Sequence, residues 1–184
     1  MARTETPAAD TGDAAPDFRL ADAEGRVWTL ADCRGPKGTL VMFICNHCPY
    51  VQSALDRILK DCRELLALGV TSVAIMPNDI ERYPQDGPDE MARLARERDF
   101  PFPYLFDATQ EVARSYGAVC TPDFFGYDPQ LKLRYRGRLD AGTPGRPLNG
   151  GPRELLEAMR QVAETGKGPA QQSPSVGCSI KWRE

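Results

Sequence analysis

With 184 residues, of which 41% are hydrophobic and 27% charged, the chain carries enough apolar material for one domain with a sizeable core and too little for two. A formal net charge of -3, with acids and bases interleaved, argues against nucleic acid or an anionic membrane as the main partner. The segment Met1 to Pro7 and the acids that follow contain no apolar run of signal-peptide or membrane-span length, so the expected location is the cytoplasm, where six cysteines point to catalytic or metal-binding thiols over a disulfide scaffold.

Residues 1–15, rich in Ala, Thr, Asp and Pro, have nothing to bury and read as a mobile leader without chemistry. Phe18 and Leu20, then Val27, Trp28 and Leu30 across Glu24-Gly25, predict a short hairpin. The run Thr39 to Cys45 is continuously apolar, as a central parallel strand covered on both faces requires. Pro49 then opens a helix, where a missing N–H costs nothing, and Val51, Leu55, Ile58, Cys62 and Leu65 form its apolar stripe up to Gly69.

Val70 to Met76 supplies a second buried strand ending in Pro77, Asn78 and Asp79, at the sheet edge where open α/β folds contact ligands. After a polar crossover, Pro88 starts a helix through Met91 and Leu94, Phe100 to Phe106 gives a strand broken by prolines, and Val112 to Tyr116 is a short helix closed by Gly117. Phe124 to Tyr127 and Leu131 to Tyr135 flank Asp128-Pro129-Gln130 and read as an antiparallel hairpin, with Arg136 and Arg138 as charges that solubilise its edge. A last helix runs from beyond Pro152 through Leu155, Met159 and Val162 to Gly166. Residues 166–184 form a tail whose Cys178, Ile180 and Trp182 should dock on the domain. The alternation of strands and helices predicts an α/β layered sheet over residues 16–165.

Cys45, Asn46, His47 and Cys48 fall between the first apolar strand and the helix that follows it. Two thiols at this spacing close a small disulfide ring, and a helix N-terminus lowers a thiol pKa, which makes Cys45 the expected nucleophile. His47, the single histidine, favours the thiolate and a more oxidising poise, and with no acid over residues 39–44 proton transfer falls to His47 or to water. Cys33 and Cys62 fit apolar faces and are assigned no function, whereas Cys120 lies two residues before Pro122 and is a candidate extra thiol.

This order of parts, with Cys-x-x-Cys heading a helix and Thr121-Pro122 preceding a hairpin, resembles the thioredoxin superfamily. More narrowly, Phe43 to Val51, Met76 to Asp79, Thr121 to Phe125, Tyr135 to Arg138 and Gly177 to Trp182 are similar to the bacterial peroxiredoxin-like AhpC/TSA, or redoxin-domain, group. The resemblance implies a thioredoxin fold: a central mixed β-sheet flanked by helices, here with an N-terminal β-hairpin extension and a docked C-terminal tail. It implies Cys45 as nucleophile, Cys48 as resolving thiol and Pro122 as a cis-proline facing them. A peroxiredoxin loop carries Thr or Ser three residues before its cysteine; Met42 and Cys45 stand at those positions before Cys45 and Cys48.

The expected activity is thiol-disulfide exchange, without cofactor or metal. Cys45 attacks a substrate disulfide and Cys48 resolves the mixed disulfide, while the Thr121 backbone stays free to pair with an extended substrate segment. The partners would be a protein or small-molecule disulfide and a thiol reductant, with a homodimer as a further candidate. Two alternatives stand beside it. Cys45, His47 and Cys48, with Cys120 or Cys178, offer soft ligands for zinc or copper. A sulfenic acid at Cys45 or Cys48 would instead make a thiol peroxidase.

Overall fold

The computed structural model describes residues 3–8, 11–146, 148 and 150–184. The chain begins with β1 (Arg3–Glu5) and the hairpin β2 (Arg19–Asp22) and β3 (Val27–Thr29), followed by the short α1 (Leu30–Cys33). The central unit is β4 (Gly38–Phe43), α2 (Pro49–Ala67) and β5 (Val70–Met76). A 3₁₀ turn at Pro84–Asp86 leads to α3 (Pro88–Glu97), β6 (Tyr104–Phe106) and α4 (Glu111–Ser115). Then come β7 (Cys120–Thr121), β8 (Asp123–Tyr127), β9 (Leu133–Tyr135), α5 (Glu154–Thr165) and β10 (Val176–Ser179).

Seven strands form one mixed sheet in the order β3-β2-β6-β5-β4-β8-β9. The pairs β4–β5 and β5–β6 are parallel, and the outer pairs are antiparallel. Side chains alternate across β4 into two cores: Leu40 and Met42 pack with α2 and α5, while Val41 and Phe43 pack with Tyr116 and Phe125 on the opposite face. Burial of each such side chain contributes about 1.5–3 kcal/mol, so this strand is pinned in register from both sides. Cys45 lies two residues beyond its C-terminal end.

The strand expected over Phe100 to Phe106 shortens to β6, because Pro101 and Pro103 lack the donors a ladder needs and Phe100 instead packs on Phe102 and Tyr104. Two further expectations are corrected. The leader is partly strand: Arg3 to Glu5 pair antiparallel with Cys178 to Val176, and Gly12 and Ala15 donate to the carbonyls of Leu133 and Leu131. Residues 1, 2, 9 and 10 of that leader lie outside the described residues. These contacts use backbone groups, which composition does not reveal.

Arg136 is also no surface charge. It is 8% exposed, donates to Asp123 at 3.1 Å and to the Gly117 carbonyl at 2.7 Å, and lies 4.5 Å over the Phe125 ring. Arg138 makes a two-pronged pair with Glu154 at the start of α5. A second, three-stranded sheet, β1-β10-β7, sits beside the carboxyl end of the main one.

Candidate functional site

Cys48 is the N-cap of α2 and Pro49 its first helical residue, so the helix N-terminus points at Cys48. The expected nucleophile, Cys45, lies one turn earlier in the connection from β4. Its Sγ is 3.4 Å from Thr121 Oγ1 and 3.9 Å from His47 Nδ1, and Cys48 Sγ lies 3.1 Å from the Thr121 carbonyl. The Thr121–Pro122 peptide is cis. Cys45, His47, Cys48 and Thr121 thus meet in one place, with both thiols buried.

Cys120 is buried one residue away, but its thiol points to the Pro122 carbonyl at 3.6 Å, and burial pushes its pKa up. Cys33 and Cys62 are buried elsewhere, and burial lifts both to about 12.

One functional side chain was not found by sequence reasoning. Asp86, from the 3₁₀ turn, is fully buried under the Cys45–Cys48 loop. Its Oδ1 accepts the backbone N–H groups of Asn46 (2.9 Å) and His47 (3.1 Å). Oδ2 accepts Asn78 Nδ2 at 2.9 Å and lies 2.5 Å from His47 Nδ1. Four donors around one carboxylate provide what a buried charge requires. Asn78 extends the network, since its Oδ1 accepts the Lys181 backbone N–H at 2.9 Å and so ties the loop to the tail. The His47 ring stacks on Tyr83 with centroids 5.1 Å apart. The only sequence signal for Asp86 was an acid in a Pro-Gln-Asp-Gly turn.

The charge distribution follows from this layout. Cys48 is held down at about 5, chiefly by the Cys45 thiol, with the Cys178 thiol, the Val51 backbone N–H and the Thr121 hydroxyl adding to it against burial. The Cys48 thiol donates to the Thr121 carbonyl. Cys45 is pushed well above the ordinary thiol value by its bond to Cys48, by burial and by the Asp86 carboxylate. Two effects favour charge on Cys48 over Cys45 within the pair: the helix begins one residue after Cys48, and the buried acid lies beside Cys45. A cleft of about 340 Å³ lined by Asn46, His47, Gln52, Gln85 and Arg93 opens beside the loop. Cys45, His47 and Asp86 also bring one ligand atom each within 4.8 Å of one another.

The sequence profile of the AhpC/TSA family matches residues 11–136, a span holding both thiols, Asp86 and the cis-proline. The chain belongs to the AhpC/TSA family. Similarity to solved structures is high over the whole chain: a conserved uncharacterised protein from Geobacillus kaustophilus is 41% identical, with a TM-score of 0.94 over 100% of this chain and 97% of that one. The thiol-disulfide oxidoreductase ResA of Geobacillus thermodenitrificans is 30% identical over 138 residues, covering 71% of each chain. The thioredoxin domain of a thiol-disulfide oxidoreductase from Bacteroides vulgatus superposes with a TM-score of 0.58 at 21% identity, over 70% of this chain and 89% of that domain, which shows the thioredoxin fold. For an AhpC/TSA member, the cysteine three residues before Cys48 is a departure from the Thr or Ser of a peroxiredoxin loop.

Proposed function

We propose that the protein is a thiol-disulfide oxidoreductase that cycles Cys45 and Cys48 between dithiol and disulfide. The observation that carries this reading is the meeting of Cys45 and Cys48 against the cis Thr121–Pro122 peptide at the α2 N-cap, where the surroundings favour charge on Cys48 over Cys45. The thiolate is the attacking species, so Cys48 opens the exchange: its Sγ bonds to one sulfur of a substrate disulfide and the other sulfur leaves as a thiolate. Cys45 then gives its proton to the departing substrate thiolate and attacks Cys48 Sγ, which breaks the mixed disulfide. A Cys45–Cys48 bridge forms and the substrate leaves reduced. The reverse sequence oxidises a substrate.

The named relative ResA supports this activity, and the proposed partners are a disulfide-bearing protein or small molecule and a thiol reductant. The proposed setting is the cytoplasm, where thiol reductants are abundant. Serine variants test the order of attack. Cys48→Ser should abolish exchange, while Cys45→Ser should lose the Cys45–Cys48 bridge but still form disulfides at Cys48. Trapping at Cys45 in the Cys48→Ser variant would restore Cys45 as the nucleophile, and full activity in both variants would end the dithiol reading.

One observation favours a second reading, a metal site. The gathered ligand atoms belong to Cys45, His47 and Asp86, with Asp86 standing where Cys48 was expected. A thiolate, an imidazole and a carboxylate suit zinc. The His47–Asp86 hydrogen bond would have to yield to the ion. Stoichiometric zinc in the purified protein, with no bridge formed under oxidising buffers, would select this reading.

A further inference from the structure

Beside the two thiols, β10 occupies the position the sequence assigned to an extended substrate. The Thr121 backbone is not free: Cys178 stands opposite Thr121 and Ser179 opposite Cys120 in an antiparallel pair. The strand is fastened on either side, by the Ser175 hydroxyl donating to the Pro122 carbonyl at 2.8 Å and by the Ile180 N–H donating to the Val119 carbonyl at 3.1 Å. Gly177 comes so close that a Cβ there would stand 2.1 Å from Thr121 O. The register brings the Cys178 side chain, 4% exposed, into the same buried cluster as Cys45 and Cys48.

We propose that Cys178 is a third redox thiol, presented to Cys48 by an internal strand that lies as a bound peptide would. The proposal rests on the dithiol reading above. In the oxidised protein, Cys178 Sγ attacks Cys48 Sγ of the Cys45–Cys48 bridge. One S–S bond breaks and one forms; the proton leaves Cys178 and is taken up by Cys45 as it departs as a thiol. No net oxidation occurs in this step, since the oxidising equivalents entered with the substrate disulfide. The result is a Cys48–Cys178 bridge with Cys45 again free to react.

The reduced state keeps this thiol silent. Burial, and then the neighbouring Cys48, push Cys178 up to about 12, so it remains a donor to the Cys48 thiolate. Once Cys48 enters a disulfide its charge is gone, and Lys181, which pulls Cys178 downward, is less opposed. A displaced β10 would also leave Thr121 open to an incoming strand, so the tail competes with peptide substrates for the same edge.

The test is disulfide mapping by mass spectrometry after oxidation with oxidised glutathione and alkylation of the remaining thiols. The Cys45→Ser variant should give a Cys48–Cys178 bridge as its main product, and wild-type protein should give Cys45–Cys48 together with Cys48–Cys178. Glutathione on Cys48 with a free Cys178 in Cys45→Ser, alongside a normal wild-type Cys45–Cys48 bridge, would overturn the third thiol and leave the dithiol reading intact. Absence of any Cys45–Cys48 bridge in wild type would overturn both. Should Cys45→Ser fail to fold, partially oxidised wild type decides: a Cys48–Cys178 peptide supports the proposal, and Cys45–Cys48 alone refutes it.

Discussion

Asp86 holds His47 at two points: Oδ1 accepts its backbone N–H at 3.1 Å, and Oδ2 lies 2.5 Å from its ring Nδ1. The backbone bond fixes the path of the chain between the two cysteines, and the ring bond fixes where the imidazole faces. Hydrogen bonds to a charged acceptor contribute about 1.5–3 kcal/mol each, so one buried carboxylate organises a loop that has no regular structure of its own. After the Cys48 contact and burial, the same charge further disfavours a thiolate on Cys45.

Replacement of Asp86 by Asn keeps the shape and removes the charge. An amide presents one oxygen and an NH₂ group to four donors, so at least one donor meets another donor. The expected loss is about 1–3 kcal/mol in urea unfolding. Cys45, freed of the adjacent anion, should ionise at lower pH and alkylate faster at pH about 8 than in wild type. Unchanged stability and unchanged Cys45 reactivity would show that the carboxylate organises nothing.

The two thiols should separate in a pH profile. Iodoacetamide labelling of the reduced protein, resolved by peptide, is expected to titrate at Cys48 with a midpoint at about 5. Cys45 should stay unreactive well past neutral pH. Replacement of Cys178 by Ser exchanges one donor for another and should leave the midpoint close to wild type, whereas Cys178→Ala removes a donor and should raise it. A midpoint for Cys48 near the ordinary thiol value of about 8.5 would contradict the N-cap assignment.

Much of this arrangement was legible in the chain. The β4–α2 junction, the cysteine pair and Pro122 announce themselves through local signals: an apolar run, a helix-starting proline, a fixed spacing. What stayed hidden depends on partners far apart in sequence. Asp86 lies 40 residues from Asn46, and nothing in Pro84-Gln85-Asp86-Gly87 distinguishes a buried acid from a solvated turn. Strands β1 and β10 are short, and their pairing consists of backbone bonds that no side-chain pattern encodes. Arg136 looked like an edge charge because the acid that neutralises it, Asp123, sits on the neighbouring strand.

The Arg136–Asp123 pair supplies a pH test. Burial raises Asp123 to about 6, with Arg136 opposing that rise. An acid whose folded pKa exceeds its unfolded value binds more protons when folded, so its contribution to stability falls as pH climbs from about 4 to 6. Arg136→Met removes the opposing charge and moves the folded value higher still. The cost should be about 3–5 kcal/mol at pH about 8 and smaller at pH about 5, where the orphaned carboxyl takes up a proton. Urea titrations at the two pH values check the sign; a greater loss at the lower pH would refute the argument.

Gly177→Ala tests whether the tail must lie flat against the cis-proline strand for the site to work. A Cβ at this position would stand 2.1 Å from Thr121 O, 2.6 Å from Thr121 C and 3.1 Å from Pro122 N, all backbone atoms with nowhere to retreat. Displacing β10 should cost about 1–3 kcal/mol, the range for forced overpacking. It also withdraws Cys178 from Cys48, so the Cys48 labelling midpoint should rise above about 5 and the yield of the Cys48–Cys178 bridge should fall. The Cys45–Cys48 bridge needs neither the strand nor its thiol and should form as in wild type. If the Cys48–Cys178 yield and the midpoint remain unchanged while stability drops, β10 is a structural clasp alone; if those two shift together, the middle strand of the small sheet is part of the redox machinery.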